Sequence, residues 1–557
     1  MNARGRQRLL VAAPVLVALV LLGFYVHRVL LVPYPPLSAD EAGHALPAAR
    51  MALALRDGSV RGFLEAARRE VVWPFLHPAL MAPFFLAFGI STHVARVFSL
   101  VTFGAALALV PLLARELEVS TDADTGPARA FPSLPTLGWL SVAILIAGAP
   151  WDLVCTVMSE PLGLLLTVAT LLVEARACRR PGPAGHFVAG LLAAATFFTK
   201  YSYGIPLMAA LVLALALGGR ARRDPYAQPI AAALAGMSLP VGLWLAWILL
   251  PDPFRAGELV AAFVNRDEGL RGLADWLFYP RAVVTAVGGP VALVAVLGFG
   301  ATLAHRRLEP RLPAILFVTA ATAMLTLHPN KQARYLFTTL PVLLVLAETE
   351  LAHRLRRLRG REALWPALAV VLLVARDPLA QVRLSAQSAH RLDDARPILA
   401  HVAEKVGRRQ PVLFLGTTGL LPHLALTWEL LERQGAEPSV DLLLFPGGPG
   451  PHRTGYPAAS GPEYGAALRG ALTSGRFRTV VTLEIGPRSP FLPDWLAKWD
   501  AFGQNYVHAM AEPEAQVDYV LESERSFPAS DVTVRIFARR DPSATGSDLA
   551  RSADRSD

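Results

Sequence analysis

The run from Gln228 to Leu250, QPIAAALAGMSLPVGLWLAWILL, carries no charged side chain. A helix needs about 20 predominantly apolar residues to cross the hydrocarbon core of a bilayer, and this run has that length without a break. Leu9 to Leu31 is a second predominantly apolar run of that length. The whole chain follows suit: of 557 residues 53% are hydrophobic and 17% are charged, against roughly 25% charged in soluble domains. The fold class is therefore a polytopic α-helical membrane protein.

Working outward from that run, apolar stretches separated by charged breaks give about eleven spans, near 9–32, 94–114, 136–150, 160–175, 186–199, 203–218, 228–250, 281–303, 312–327, 333–350 and 363–376. The net charge of +9 does not point to nucleic acid, because the arginines fall in short clusters between apolar runs instead of on one soluble face. They set the orientation. Arg4, Arg6 and Arg8, then Arg176, Arg179 and Arg180, then Arg220, Arg222 and Arg223, then Arg306, Arg307 and Arg311, then Arg354 to Arg361 fill alternate loops. The positive-inside bias puts all of them in the cytoplasm with one setting of the first helix.

That setting leaves a long extracytoplasmic loop at 33–93 and, beyond the last span, a segment of different texture. Pro411–Gly416, Val440–Phe445, Thr479–Leu483 and Val532–Phe537 read as short buried strands, with helical patterns at Leu420–Gln434 and Ala466–Leu472. The expected organisation is a transmembrane domain at 1–376, an extracytoplasmic α/β domain at 385–540 and a disordered tail at 541–557. Gly447-Gly448-Pro449-Gly450 lacks the spacing of a phosphate loop and reads as a turn.

With the faces fixed, the polar residues at the extracytoplasmic span ends differ in kind from those opposite: Asp40-Glu41, Ser159-Glu160, Lys200-Tyr201-Ser202-Tyr203 and His328 to Tyr335. Each has a plain structural reading. Ser38 to Glu41 fits a capping box, Glu160-Pro161 fits a helix start, and tyrosines at these ends suit an aromatic belt. Lysine is scarce: Lys200, Lys331, Lys405 and Lys498 are the lysines among 53 basic residues. The positive-inside bias makes Lys200, Lys331 and Arg334 less expected on this face, and together they suit an anionic phosphate.

Taken in order, Asp40-Glu41, His77-Pro78, Ala95-Arg96, Met158-Ser159-Glu160-Pro161-Leu162, Thr199-Lys200-Tyr201 and Arg334-Tyr335 with Pro341 resemble the GT-C glycosyltransferase superfamily. Within it they are most similar to the protein O-mannosyltransferase and aminoarabinose lipid A transferase group. The pattern spans most of residues 1–350 and departs at His44, where relatives often carry tyrosine, and at the second acid, Glu41.

The resemblance implies an enzyme of a bacterial inner membrane, with its active site extracytoplasmic. It would transfer a sugar from a polyprenyl-phosphate donor to a protein, lipid or glycan acceptor, with inversion. Asp40, Glu41 and Glu160 are then the catalytic acids, Asp40 as general base. Lys200, Lys331, Arg334 and Tyr335 face the carrier phosphate, and His44, His77 and Tyr201 face acceptor or substrate. Asp40 and Glu160 are the hard oxygen ligands that a divalent metal ion would use. The rival reading is a polytopic transporter or lipid flippase, for which paired broken helices or half-to-half repeats are expected; none is legible in the sequence.

Overall fold

A computed structural model of the chain describes residues 15–27, 37, 39–70, 74–118, 138–148, 156–179, 182–222, 227–252, 272–304, 310–328, 332–357, 395–407, 411–415, 423–435, 438, 440–442, 469–486 and 518–540. The basic cluster at 4–8, Ser38, Lys331, the span at 363–376, the Gly-rich turn at 447–450 and the tail at 541–557 lie outside the described residues. The chain forms two compact units. One comprises residues 1–32, 47–89 and 93–386, the other 33–46, 90–92 and 387–557.

The first unit is helical: α1 (Val15–His27), α2 (Ala39–Arg56, begun in the other unit), α3 (Val60–Arg69), α4 (Leu76–Phe88), α5 (Thr92–Leu117), α6 (Trp139–Gly148), α7 (Glu160–Ala177), α8 (Pro183–Thr199), α9 (Tyr201–Arg222), α10 (Ala227–Leu249), α11 (Leu273–Trp276), α12 (Phe278–Val287), α13 (Gly289–Leu303), α14 (Leu312–Leu327), a 3-10 turn (Ala333–Phe337) and α15 (Thr339–Arg357). Among the described residues, four are long and apolar enough to cross a membrane: Thr92–Leu117, Tyr201–Gly218, Ala227–Leu249 and Ala333–Arg354. Val15–His27, Leu76–Phe88, Pro183–Thr199 and Leu312–Leu327 are apolar but shorter.

The expected span at 281–303 is not one continuous helix. It is a bent pair, α12 and α13, meeting at 117°. Gly288 supplies the break with φ 83, and Pro290 opens the next helix. A positive φ is costly for residues with a side chain, and proline suits a first helical turn while ending the helix before it.

Close helix packing rests on small residues. α8 and α10 cross where Gly190 faces Ala233 and Gly236 faces Phe187, and a methyl group on either glycine would collide with a backbone carbonyl of the other helix. Buried charges are paired. Arg311 meets Glu350 at 2.6 Å, and Glu350 also takes Arg354 at 2.7 Å. The Glu348 carboxylate accepts from the Gly138 and Ser141 amides at 2.8 and 3.1 Å and from the Ser141 hydroxyl at 2.6 Å. It thereby satisfies amides at the start of α6 that a helix leaves without internal partners.

The second unit contains α16 (Ala395–Val406), β1 (Val412–Leu415), α17 (His423–Gln434), β2 (Val440–Leu442), β3 (Thr479–Ile485), β4 (Tyr519–Phe527) and β5 (Val532–Arg539). The sheet order is β2-β1-β3-β5-β4. The three strands β2, β1 and β3 are parallel, while β5 and β4 join antiparallel. β1 is buried at every position, as parallel strands covered on both faces are. β5 alternates, and Val532, Val534 and Ile536 meet Ile398, Val402, Leu426 and Leu430 of the two helices in one core. The segment at 90–92 belongs to this unit because α17 holds it. The Trp428 indole donates to the Thr92 hydroxyl at 2.8 Å, and Glu432 accepts from the Thr92 amide at 3.2 Å.

Candidate active site

Three chain segments of the helical unit converge on Glu160. Its side chain is fully buried in the first turn of α7. Lys200 sits in the break between α8 and α9 with extended backbone (φ −162, ψ 123), so its side chain leaves the helix line and its ammonium reaches Glu160 Oε1 at 2.6 Å. Arg334, in the 3-10 turn, brings its Nε to 3.8 Å from the same oxygen.

Aromatic rings close the cluster. Lys200 Nζ lies 4.8 Å from the Tyr335 ring centre and 5.2 Å from that of Tyr203, distances at which a cation is drawn to a ring face. Tyr203 is 1% exposed, and its hydroxyl lies 3.5 Å from the Arg334 carbonyl. Gly163, one turn into α7, makes this packing feasible, because a β-carbon there would stand 2.6 Å from Tyr203 Cδ2. In the cluster Glu160 is flanked by the Lys200 ammonium and the Arg334 guanidinium, groups that also suit an anionic ligand.

Arg334 has a second role. It lines a cavity of about 620 Å³ whose walls include Phe103, Leu145, Leu164, Phe278, Phe337 and Leu340. Among the polar lining residues are Asp275, Arg281 and Thr285. Apolar walls with a few convergent polar groups are the usual make-up of a small-molecule site.

The residues singled out in the sequence divide accordingly. Glu160, Lys200, Arg334 and Tyr335 come together. Asp40, Glu41 and His44 lie in the first turns of α2, in the segment 33–46 of the other unit; Asp40 is half-buried, Glu41 and His44 are buried. Lys331 is outside the described residues. His77 is buried in α4 with its ring edge-on to Phe98, centroids 5.5 Å apart. Tyr201 is packed in a separate aromatic cluster, 4.8 Å from Phe197 and 6.0 Å from Trp244.

Sequence reasoning missed Tyr203, treated as an aromatic-belt residue, and Gly163, whose role exists only through a contact between helices. It also missed Arg281, absorbed into a supposed continuous span. The signal for Arg281 was present, since it is one more basic residue at a span end where the positive-inside reading expects few. Among the described residues no group of three His, Cys, Asp or Glu side chains could hold a metal ion.

No family model matches the chain. No curated protein matches it either. Solved structures do. The chain is similar to ArnT from Cupriavidus metallidurans bound to undecaprenyl phosphate (TM-score 0.56, 13% identity) and to the same protein in the apo state (TM-score 0.54, 14% identity), in both cases over 96% of this chain and 98% of the other. It is also similar to AglB, the archaeal oligosaccharyltransferase from Archaeoglobus fulgidus in complex with an inhibitory peptide and a dolichol-phosphate (TM-score 0.50, 11% identity, 84% of this chain and 69% of that one). At these identities the likeness is one of fold, and it is the GT-C fold that the ordered motifs resemble.

Proposed function

We propose that this chain is a membrane glycosyltransferase that moves a sugar from a polyprenyl-phosphate carrier to an acceptor hydroxyl on the extracytoplasmic face, with inversion at the sugar carbon. The observation that carries the reading is Arg334, which belongs both to the charged cluster around Glu160 and to the apolar cavity. A ligand suited to both has a phosphate and a hydrocarbon tail. The fold shared with a protein solved bound to undecaprenyl phosphate supports the same chemistry.

In the reaction the acceptor oxygen attacks the anomeric carbon while the bond from that carbon to the phosphate oxygen breaks. The bonding pair leaves with the phosphate. Lys200 and Arg334 stabilise the charge that develops there, as preorganised cations do, and Arg281 lines the same cavity as Arg334. Asp40 takes the acceptor proton, a role typically worth 10²–10⁴ in rate. Glu160 is already engaged by an ammonium at 2.6 Å, so it serves to hold Lys200 and Arg334 in place.

Direct displacement leaves no glycosyl-enzyme intermediate. The test is purified protein incubated with radiolabelled undecaprenyl-phosphate sugars and envelope acceptors. Transfer of label, abolished by Lys200→Ala and Arg334→Ala, is expected. Movement of the intact labelled lipid across vesicles without transfer would instead identify a flippase.

A further inference from the structure

Helix α3 (Val60–Arg69) contributes no residue to the cavity lining or to the contacts around Glu160. It folds back on the end of α2 through the turn at Gly58, whose φ is 71, and Ser59 caps it by accepting from the Gly62 amide at 2.9 Å. One sector of the helix packs inward on small residues. Ala66 and Ala67 are buried, Phe63 is half-buried, and a β-carbon at Gly62 would stand 3.1 Å from the Ala54 Cβ of α2.

At about 100° per residue, the order around the helix runs Gly62, Ala66, Phe63, Ala67, then Val60 and Leu64, then Arg68, Arg61, Glu65 and Arg69. Val60 and Leu64, one turn apart, are 65% and 45% exposed. A single exposed aliphatic residue is ordinary. Two stacked between a packed sector and a sector rich in arginine form a graded surface, with protein on one side, apolar groups at the edge and charge beyond. The Arg61 side chain is 90% exposed and meets Glu65 at 2.9 Å; an exposed pair of this kind contributes little to stability.

We infer that α3 lies along the surface of the bilayer and binds anionic lipid headgroups. Val60 and Leu64 enter the boundary between headgroups and acyl chains, where an interfacial helix places its apolar edge. The carbon stems of Arg61 and Arg68 run beside them and carry the guanidinium groups to lipid phosphates. Charge selects the class of lipid, since α3 sets Arg61, Arg68 and Arg69 against Glu65 alone. The inference needs only that the helical unit sits in a membrane, and stands apart from the glycosyltransferase reading.

The test uses the full-length protein with Cys155 and Cys178 replaced by serine, reconstituted into phosphatidylcholine bilayers containing a minority of phosphatidylglycerol. A bimane fluorophore is attached at Leu64→Cys or, in a second sample, at Glu65→Cys. Lipids brominated at the headgroup end of the acyl chain, on one lipid class at a time, then report contact. Position 64 should be quenched more strongly than position 65, and more by brominated phosphatidylglycerol than by brominated phosphatidylcholine at equal mole fraction. Arg61→Gln and Arg68→Gln should each reduce that preference by about five-fold.

Val60→Cys gives the same reading if Leu64→Cys fails to reconstitute. Weak quenching at both positions would place α3 in water or against a protein partner and overturn the inference. Strong and equal quenching at both would overturn it as well, because the helix would then be immersed with its charged sector. Equal quenching by the two lipid classes would remove the anionic headgroup as the ligand.

Discussion

Replacing Glu160 by alanine removes the carboxylate that Lys200 meets at 2.6 Å and leaves the ammonium, 16% exposed, beside Arg334. Breaking a buried ion pair from one side costs about 3–5 kcal/mol, because the remaining charge keeps its desolvation penalty without its partner. Removing both charges, as Glu160→Ala with Lys200→Met, takes that ammonium away and leaves Arg334 as the cation that faced Glu160. That double variant is expected within about 2 kcal/mol of wild type, so the pair shows a coupling of at least about 2 kcal/mol in a double-mutant cycle.

Unfolding in detergent, followed with and without undecaprenyl phosphate, reads both quantities. A ligand that binds the folded state stabilises it by RT ln(1 + [L]/Kd). In Glu160→Ala the carrier phosphate supplies the missing anion, so the added lipid should stabilise this variant more than wild type. Additive single-site effects, together with equal stabilisation of both proteins by the carrier, would refute the idea that Glu160 and the phosphate answer to the same cations.

Gly163→Ala places a methyl group 2.6 Å from the Tyr203 ring; it should cost about 1–3 kcal/mol by overpacking and lower turnover more than Gly163→Ala paired with Tyr203→Leu, which makes room. Asp40→Asn should reduce transfer by about 10²–10⁴ with carrier binding intact, and unchanged turnover in a folded variant removes Asp40 as the base. Glu70, at the end of α3, has its carboxyl pushed up to about 7 by burial, with Arg50 and Arg69 opposing. Its folded form therefore holds the proton more tightly than the unfolded chain, and the stability it contributes is complete below about pH 4.5 and lost as pH rises through about 7. Glu70→Gln should flatten that slope in pH-dependent unfolding.

Much of this was legible in the sequence because the signals are local. Apolar length announced the four long apolar helices, Ser159-Glu160-Pro161 announced the start of α7, and β1, β3 and β5 were visible as short apolar runs. β4 was not. It is an edge strand, exposed at most positions and rich in Glu, Ser and Arg, so neither alternation nor a buried run marks it. The break at Gly288 was written in Gly288-Gly289-Pro290 but outweighed by the apolar residues around it. Tyr203 was invisible for a different reason: only the packing of α9 on Gly163 turns it from the lipid interface toward the charged cluster.

The elbow at Gly288 divides an apolar stretch into two arms, Phe278–Val287 and Gly289–Leu303, bent by 117°. Fifteen residues of helix rise about 22 Å, short of the ~30 Å of an ordinary hydrocarbon core. A bilayer adapts to a short segment by thinning around it. A carrier phosphate would then meet its cations without being dragged far into hydrocarbon. Reconstitution into long-chain lipids, which resist thinning, should slow carrier uptake, and uptake indifferent to chain length would rule this out.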